Sequence, residues 1–199
     1  MNLIYVWNED YLNKEKYRQT GFCLSSKYDV KYDINEMELS IIKNHSYVPN
    51  FWGENIFDVM AVVGDNGSGK TMLLNYLMDI IYWISSRGEV SEIEFFAVFE
   101  DEEDDKFIVM ATPQFYNMNN KQDVNVQIEK VGDISNDILM VYKFGYFTNA
   151  LSLTDYQYAK NGCTYDASLG GLIANDSKKA YEMHQKELND DNILNYYGC

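Results

Sequence analysis

Residues 64–71 have the residue types and the spacing of a phosphate-binding loop. Their sequence, Gly-Asp-Asn-Gly-Ser-Gly-Lys-Thr, matches the pattern G-x-x-x-x-G-K-[ST] at every fixed position. Glycines at these positions let successive backbone N–H groups turn toward one centre, where side chains would obstruct an anion. The pattern predicts that a nucleotide binds to Gly64, Asp65, Asn66, Gly67, Ser68, Gly69, Lys70, Thr71 and Met72.

The two side chains at the end of this loop have different expected roles. Lys70 should reach the β- and γ-phosphates as a point charge and take part in catalysis. The Thr71 hydroxyl should be one ligand of a Mg²⁺ ion that keeps several waters. A helix that starts near Gly69 would add N–H groups and the positive end of its dipole. The implied ligand is ATP or GTP with Mg²⁺, and nothing in the loop selects the base.

The flanks of the loop predict the strand and the helix that would position it. Residues 56–63 are almost continuously apolar, which favours a buried strand, and residues 72–84 form an apolar run typical of a helix buried on several sides. Arg87 in the last turn and Gly88 after it indicate where this helix ends. A strand, a glycine loop and a helix in this order favour an α/β fold with the core of a P-loop NTPase.

The chain ahead of the loop predicts an antiparallel sheet. Alternating apolar segments at 3–7, 22–25, 28–33 and 37–42 read as strands, and residues 43–55, with Pro49 and Gly53, read as a connecting loop. Four aromatic residues in this region could stack on a base, although core packing is the expected role of each: Tyr5, Trp7, Phe51 and Trp52.

The chain after the predicted helix continues the β layer and then changes character. Residues 93–99 and 107–111 predict a hairpin around the acidic run 100–105, so the apolar-then-acidic stretch 97–101 is not interpreted as a Walker B strand. Further strands are expected at 124–128, as an extension of the antiparallel layer, and at 138–147. Residues 176–188 predict a peripheral helix. We expect a nucleotide-binding lobe at 1–150 and the start of a helical subdomain at 151–199.

Composition excludes several classes of function. A net charge of −15 argues against direct nucleic-acid binding through a broad basic face. The chain lacks a run of about 18 apolar residues and a signal-peptide pattern, so we expect no membrane contact and a cytoplasmic location. Three widely spaced cysteines and two histidines favour neither a disulfide framework nor a zinc site.

Residues 55–71 resemble the ABC-type branch of the P-loop ATPases. The likeness is closer to the bacterial AAA-family ATPases, allied to the OLD and SMC-like proteins, that recur in anti-phage defence systems. The inner Asn-Gly-Ser-Gly at 66–69 is typical of that branch. Residues 146–149 and 165–168 resemble weaker patterns of the same ATPases.

The resemblance implies a head in which two ATP molecules lie between two protomers. Each site would combine the Walker A loop of one protomer with an L-S-G-G signature of the other, a Walker B Asp and a catalytic Glu. Residues 168–171 read Ser-Leu-Gly-Gly, which has the composition of the signature but not its order. By the same analogy Asn149, or as the weaker alternative Gln157, would contact the Mg²⁺ or the lytic water.

The chain therefore resembles the N-terminal half of such an ATPase, whether cut short, naturally split or degenerate. Its expected partner is a second copy or an ATPase subunit that carries the signature and Walker B residues. One alternative is a non-catalytic, truncated homologue that modulates a full-length ATPase. Another is a small P-loop kinase, although phosphoryl transfer there commonly relies on positive clamps and the only arginines are Arg18 and Arg87.

Overall fold

The computed structural model describes residues 1–10, 18–54, 56–65, 68–85, 94–121, 124–131, 144–146, 164–166, 176 and 179. The chain divides into two compact units, residues 1–142 and 143–199. The described part of the first unit contains one long helix, α1 (Lys70–Ser85), and a short 3-10 helix (Pro113–Phe115). Its strands are β1 (Asn2–Asp10), β2 (Arg18–Cys23), β3 (Tyr28–Asp33), β4 (Glu38–Lys43), β5 (Phe95–Asp101), β6 (Lys106–Ala111), β7 (Asn119–Asn120) and β8 (Val126–Lys130).

The first unit is built from two sheets. A five-stranded sheet has the order β2-β1-β5-β6-β8, and a three-stranded sheet has the order β3-β4-β7. The predicted hairpin is confirmed, because β5 and β6 pair antiparallel from Phe96 with Ala111 to Asp101 with Lys106. The acidic run therefore lies at a turn between antiparallel strands. The strand expected at 124–128 begins at Val126, and it is parallel to β6 rather than antiparallel as predicted.

The five-stranded sheet is covered on both faces. Phe96 and Val98 of β5 belong to a buried cluster with Val30, Leu39 and Ile41 of the three-stranded sheet. Phe95, whose side chain points to the opposite face, lies with its ring centroid 5.7 Å from that of Trp83 in α1. The helix therefore packs on one face and the smaller sheet on the other, which explains why both faces of β5 are apolar.

The leader segment, residues 56–63, is the main departure from expectation. It forms no strand, and the large apolar side chains of Ile56, Val59 and Met60 are about half exposed, while Val63 is 85% exposed. The prediction of a buried strand here is therefore wrong for this chain. An apolar run becomes a buried strand only when neighbouring strands and covering layers are present, and the sheets of the described residues do not include this segment.

Two of the four aromatic residues expected in the core also lie elsewhere. Tyr5 and Trp7 are buried in β1 as predicted, whereas Phe51 is 69% exposed and Trp52 is 48% exposed. Their rings contact each other edge to face with centroids 5.0 Å apart. The connecting loop thus presents an aromatic pair to solvent instead of anchoring itself in the core.

The described residues of the second unit form one strand pair, β9 (Phe144–Tyr146) and β10 (Thr164–Asp166), which run parallel. β9 falls within the strand predicted at 138–147, whose other residues lie outside the described part of the chain. Within the helix predicted at 176–188, Asp176 and Lys179 are described and both are helical. No helix among the described residues is long and apolar enough to cross a membrane.

Candidate functional site

The start of α1 is the first part of the candidate site. The helix begins at Lys70, and the carbonyl of Gly69 accepts the N–H of Leu73 at 3.0 Å, so Gly69 is the residue that caps it. Gly69 has φ +96°, a conformation that residues with a side chain rarely adopt. N–H groups in the first turn of a helix have no carbonyl one turn earlier to bind. The predicted loop-to-helix transition is therefore present where the pattern placed it.

The loop closes tightly ahead of the helix. The N–H of Ser68 donates to the carbonyl of Asp65 at 3.1 Å. A Cβ atom added to Gly64 would lie 2.6 Å from the Ser68 Oγ, closer than two such atoms can approach. A side chain at position 64 would therefore require the Ser68 hydroxyl or an arm of the loop to move. Asn66 and Gly67, which complete the predicted binding set, lie outside the described residues.

The side chain of Lys70 folds back over the loop. Its Nζ donates to the carbonyl of Gly64 at 2.5 Å and to that of Asp65 at 2.8 Å. These contacts place a full positive charge beside the loop where the pattern predicts phosphate binding. An incoming anion would exchange neutral carbonyl oxygens for charged oxygens around this ammonium group, and hydrogen bonds between charged groups are the stronger ones.

The residues expected beside Lys70 differ in exposure. Thr71 is exposed and Met72 is half-buried, so the Thr71 hydroxyl is accessible to a metal ion. The described residues contain no group of three or more His, Cys, Asp or Glu side chains that could hold a metal. A Mg²⁺ ion fits this setting as an ion held by one hydroxyl, by phosphate oxygens and by water. Asn149 and Gln157, the predicted contacts of the metal or lytic water, lie outside the described residues.

The body of α1 is fixed to the five-stranded sheet. The Tyr76 hydroxyl, fully buried, donates to the carbonyl of Trp7 in β1 at 3.1 Å. The Tyr76 ring also lies 6.5 Å from that of Phe22 in β2, measured between centroids. Ile80 is fully buried on the same helix. These contacts hold the helix start at a set position relative to the edge strand β2.

A cavity of about 260 Å³ adjoins the loop. Ser68, Gly69 and Lys70 form one side of it. Thr20 and Phe22 of the edge strand β2 form another. The sequence pattern did not indicate these two β2 residues, because they lie more than forty positions before the loop and reach it only through the pairing of β2 with β1.

A second residue outside the pattern fixes the approach to the loop. Asp58, in the leader segment, accepts the backbone N–H of Ser26 through its Oδ2 at 2.5 Å and that of Val59 through its Oδ1 at 2.8 Å. Ser26 lies in the turn between β2 and β3. A carboxylate in an otherwise apolar segment is a signal that could have indicated this role, since such a group needs polar partners.

Comparison with known proteins adds no family to this geometry. No protein-family model, curated protein or solved structure matches the chain significantly. The site is therefore interpreted from its own residues. A glycine loop with close backbone arms, a helix start and a lysine directed over the loop together form a setting that favours a polyanion.

Proposed function

We propose that this chain binds ATP with Mg²⁺ as the nucleotide-binding lobe of an ABC-type P-loop ATPase. The observation that supports the proposal is the joint position of Gly64, Gly69 and Lys70 at the start of α1. A lysine already held over a glycine loop needs only to turn toward the phosphates. The proposed protein acts in the cytoplasm, and a role in phage defence is the biological setting that its sequence resemblance implies.

In the proposed complex each part of the loop has one task. The backbone N–H groups at the loop and the first turn of α1 would hold the phosphate oxygens, and Lys70 would leave the carbonyls for the β- and γ-phosphates. Thr71 would ligate the Mg²⁺, which neutralises charge that develops during phosphoryl transfer. The cavity lined by Thr20 and Phe22 offers room beside the loop for the nucleoside.

Hydrolysis is proposed to require residues from a partner chain or from further sequence. The support comes from the leader segment, whose apolar side chains are exposed while it leads directly into Gly64. Strands that are apolar on both faces are normally buried between neighbouring strands and helices. The partner, a second copy or an ATPase subunit, would cover this segment and supply the signature and Walker B residues.

Isothermal titration with Mg-ATP tests the binding. The wild-type chain should bind ATP, and Lys70→Ala should lower the affinity at least about tenfold because a charge-assisted contact to the phosphates is lost. Lys31→Ala is the matched control, because it removes the same charge from a side chain on β3 that is 73% exposed. Absence of Mg-ATP binding, or equal affinities in both variants, would refute the proposal. A parallel titration with Mg-GTP identifies the preferred base.

A turnover assay tests the need for a partner. The isolated monomer should hydrolyse ATP slowly, since the described residues of the site are suited to binding. Fast magnesium-dependent hydrolysis by the pure monomer, abolished by Lys70→Ala, would show that the chain is sufficient by itself. That result would leave the binding proposal intact and remove the proposed partner requirement.

The exposed apolar leader also favours a second function, that of a non-catalytic homologue which binds a full-length ATPase and modulates it. An interaction module is expected to expose an apolar surface for its partner. Mixing the chain with a full-length relative separates the two functions. A rise in ATPase activity supports a complementing subunit, and a fall supports a competing module.

A further inference from the structure

A second cavity lies away from the phosphate loop. It has a volume of about 730 Å³, within the range of small-molecule sites. It lies where three segments meet: the turn between β2 and β3, the loop that follows β4, and the acidic turn between β5 and β6. Each segment contributes to the lining, for example through Lys27, Asn44 and Glu102 respectively.

One wall of this cavity is held by a partly buried ion pair. Lys27 Nζ lies 2.5 Å from Glu100 Oε1 and 2.9 Å from Glu102 Oε1, with its side chain only 16% exposed. The Tyr28 hydroxyl donates to the same Glu100 oxygen at 2.5 Å. An ammonium group has three N–H donors, so Lys27 retains one beyond these two carboxylates. This wall of the cavity therefore still has an N–H donor to offer a ligand.

Another part of the lining includes a lysine that forms no ion pair with a described carboxylate. Lys43, the last residue of β4, and His45 both line the cavity. Lys43 forms no ion pair with any residue whose position the structure describes. Lys43 therefore brings an unneutralised positive charge to the cavity in a chain whose net charge is −15. A lysine without a carboxylate partner attracts an anion, and the imidazole of His45 can add a hydrogen bond to it.

The remaining lining residues indicate which other groups a ligand of this cavity would carry. Asn2, Asn50 and Tyr47 add amide and hydroxyl groups that can donate or accept hydrogen bonds. Glu54 is an acceptor that suits a hydroxyl or amino group. Phe57 adds an apolar surface. This mixture excludes a purely apolar occupant and fits a compact polar molecule with one anionic group.

We propose that this cavity is a second binding site, independent of the phosphate loop, for a small organic anion that also carries a hydroxyl or amino group. The anionic group, a phosphate ester or a carboxylate, lies at Lys43 and His45. The hydroxyl or amino group lies toward Glu54. Because Phe57 belongs to the leader segment, an occupant contacts the same stretch of chain that ends at Gly64.

The imidazole of His45 provides a direct probe of the cavity. The chain contains two histidines, so the ring signals in a proton NMR spectrum can be assigned with a His45→Gln variant. Wild-type protein is titrated with glycerol 3-phosphate in one series and with serine, a hydroxylated amino acid carboxylate, in another. A saturable shift of the His45 signal is expected in at least one series, and the series that responds identifies the anionic group.

Matched variants decide whether the shift reports this site. Lys43→Gln should weaken the affinity at least about fivefold, because it removes the nearest unpaired charge. Lys31→Gln, on the neighbouring strand, changes the net charge equally and should leave the affinity unchanged. Lys70→Ala should also leave it unchanged, which separates this site from the phosphate loop. No saturable shift in either series, or an affinity that Lys43→Gln does not reduce, would overturn the proposal.

Discussion

Asp58 and Ser26 join the approach to the phosphate loop to the turn between β2 and β3. The Ser26 N–H donates to Asp58 Oδ2 at 2.5 Å, and the turn is tied in addition to the loop after β4, where Asn44 Nδ2 donates to the Ser26 carbonyl at 3.0 Å. Gly64 lies six positions after Asp58. The Asp58 carboxylate therefore helps to position the approach to the glycine loop, in a segment whose side chains are mostly exposed.

Replacing Asp58 by Asn should loosen this connection. A hydrogen bond to a carboxylate contributes more than one to a neutral amide, so we expect a loss of about 1 kcal/mol in the free energy of unfolding. We also expect severalfold weaker Mg-ATP binding, because Gly64 loses part of its positioning. Denaturant unfolding and calorimetric titration measure both effects. Asp29→Asn, on β3 with a 55% exposed side chain, is the control, and equal ATP affinities in the two variants would contradict the positioning role.

The alanine substitution at Gly64 tests the geometry of the loop itself. The added Cβ would lie 2.6 Å from Ser68 Oγ, so the Ser68 side chain or an arm of the loop must shift. Affinity for Mg-ATP should fall at least about tenfold, while the far-ultraviolet circular dichroism stays unchanged. Adding Ser68→Ala removes the Oγ and should restore part of the affinity. Wild-type affinity in the single variant would show that the loop tolerates a side chain at this position.

The ion pair of Lys27 should matter more for stability than any surface pair. Lys27→Met leaves Glu100, with a side chain only 7% exposed, without its cation, and such losses cost about 3 kcal/mol or more. Lys31→Met removes an exposed pair with Asp29 and should cost less than about 1 kcal/mol. Urea unfolding of both variants measures the difference. Losses of equal size would mean that the buried pair contributes no more than an exposed one.

The same cluster predicts how stability depends on alkaline pH. Burial lowers the pKa of Lys27, but its hydrogen bonds to Glu100 and Glu102 outweigh this effect and raise the pKa above its usual value. Burial, and then the hydrogen bond to Glu100, raise the pKa of the Tyr28 hydroxyl. The folded state thus holds these protons more tightly than the unfolded state, and the resulting stability is complete below about pH 10.

That stability should be lost as the pH rises above about 10, where the unfolded chain begins to release the same protons. Unfolding midpoints in urea, measured at intervals from neutral to strongly alkaline pH, follow the loss. Tyr28→Phe removes one of the titrating groups and should make the decline less steep. A decline that is equally steep in Tyr28→Phe would show that the tyrosine does not contribute.

Polar substitution in the leader segment should be tolerated. Val63 is 85% exposed, so Val63→Ser should change the free energy of unfolding by less than about 0.5 kcal/mol. The buried Val98 of β5 is the control, and Val98→Ser should cost about 3 kcal/mol or more through lost burial and an unpaired hydroxyl. A similar cost at both positions would restore the original prediction of a buried strand.

The elements that sequence reasoning predicted well are those determined by local pattern. Tyr28–Asp33 matches the predicted strand 28–33, and the β5–β6 hairpin follows from two apolar runs around an acidic turn. The helix after the glycine loop also starts where the phosphate-loop pattern required. Alternation with period two, apolar periodicity and helix-start chemistry are properties of a few consecutive residues, so they can be read without knowledge of the fold.

The elements that were missed depend on distant partners. Alternation is the same in parallel and antiparallel strands, so the parallel pairing of β6 with β8 could not be read from residues 126–130. The apolar leader segment has the composition of a buried strand, but composition does not reveal whether neighbouring strands are present to pair with it. Likewise Thr20 and Phe22 lie near the loop only because of how β2 pairs with β1. No local sequence motif predicts that pairing.

The connection between β6 and β8 has a consequence for how the first unit unfolds. A parallel neighbour cannot be reached by a tight turn, and the connection passes through the 3-10 helix and then through β7, which is paired in the other sheet beside β4. Between β6 and β8 the chain thus leaves the larger sheet, adds one strand to the smaller sheet and then returns to the larger one. Neither sheet can be pulled apart without disturbing the other, so the two should melt in a single cooperative transition rather than in sequence.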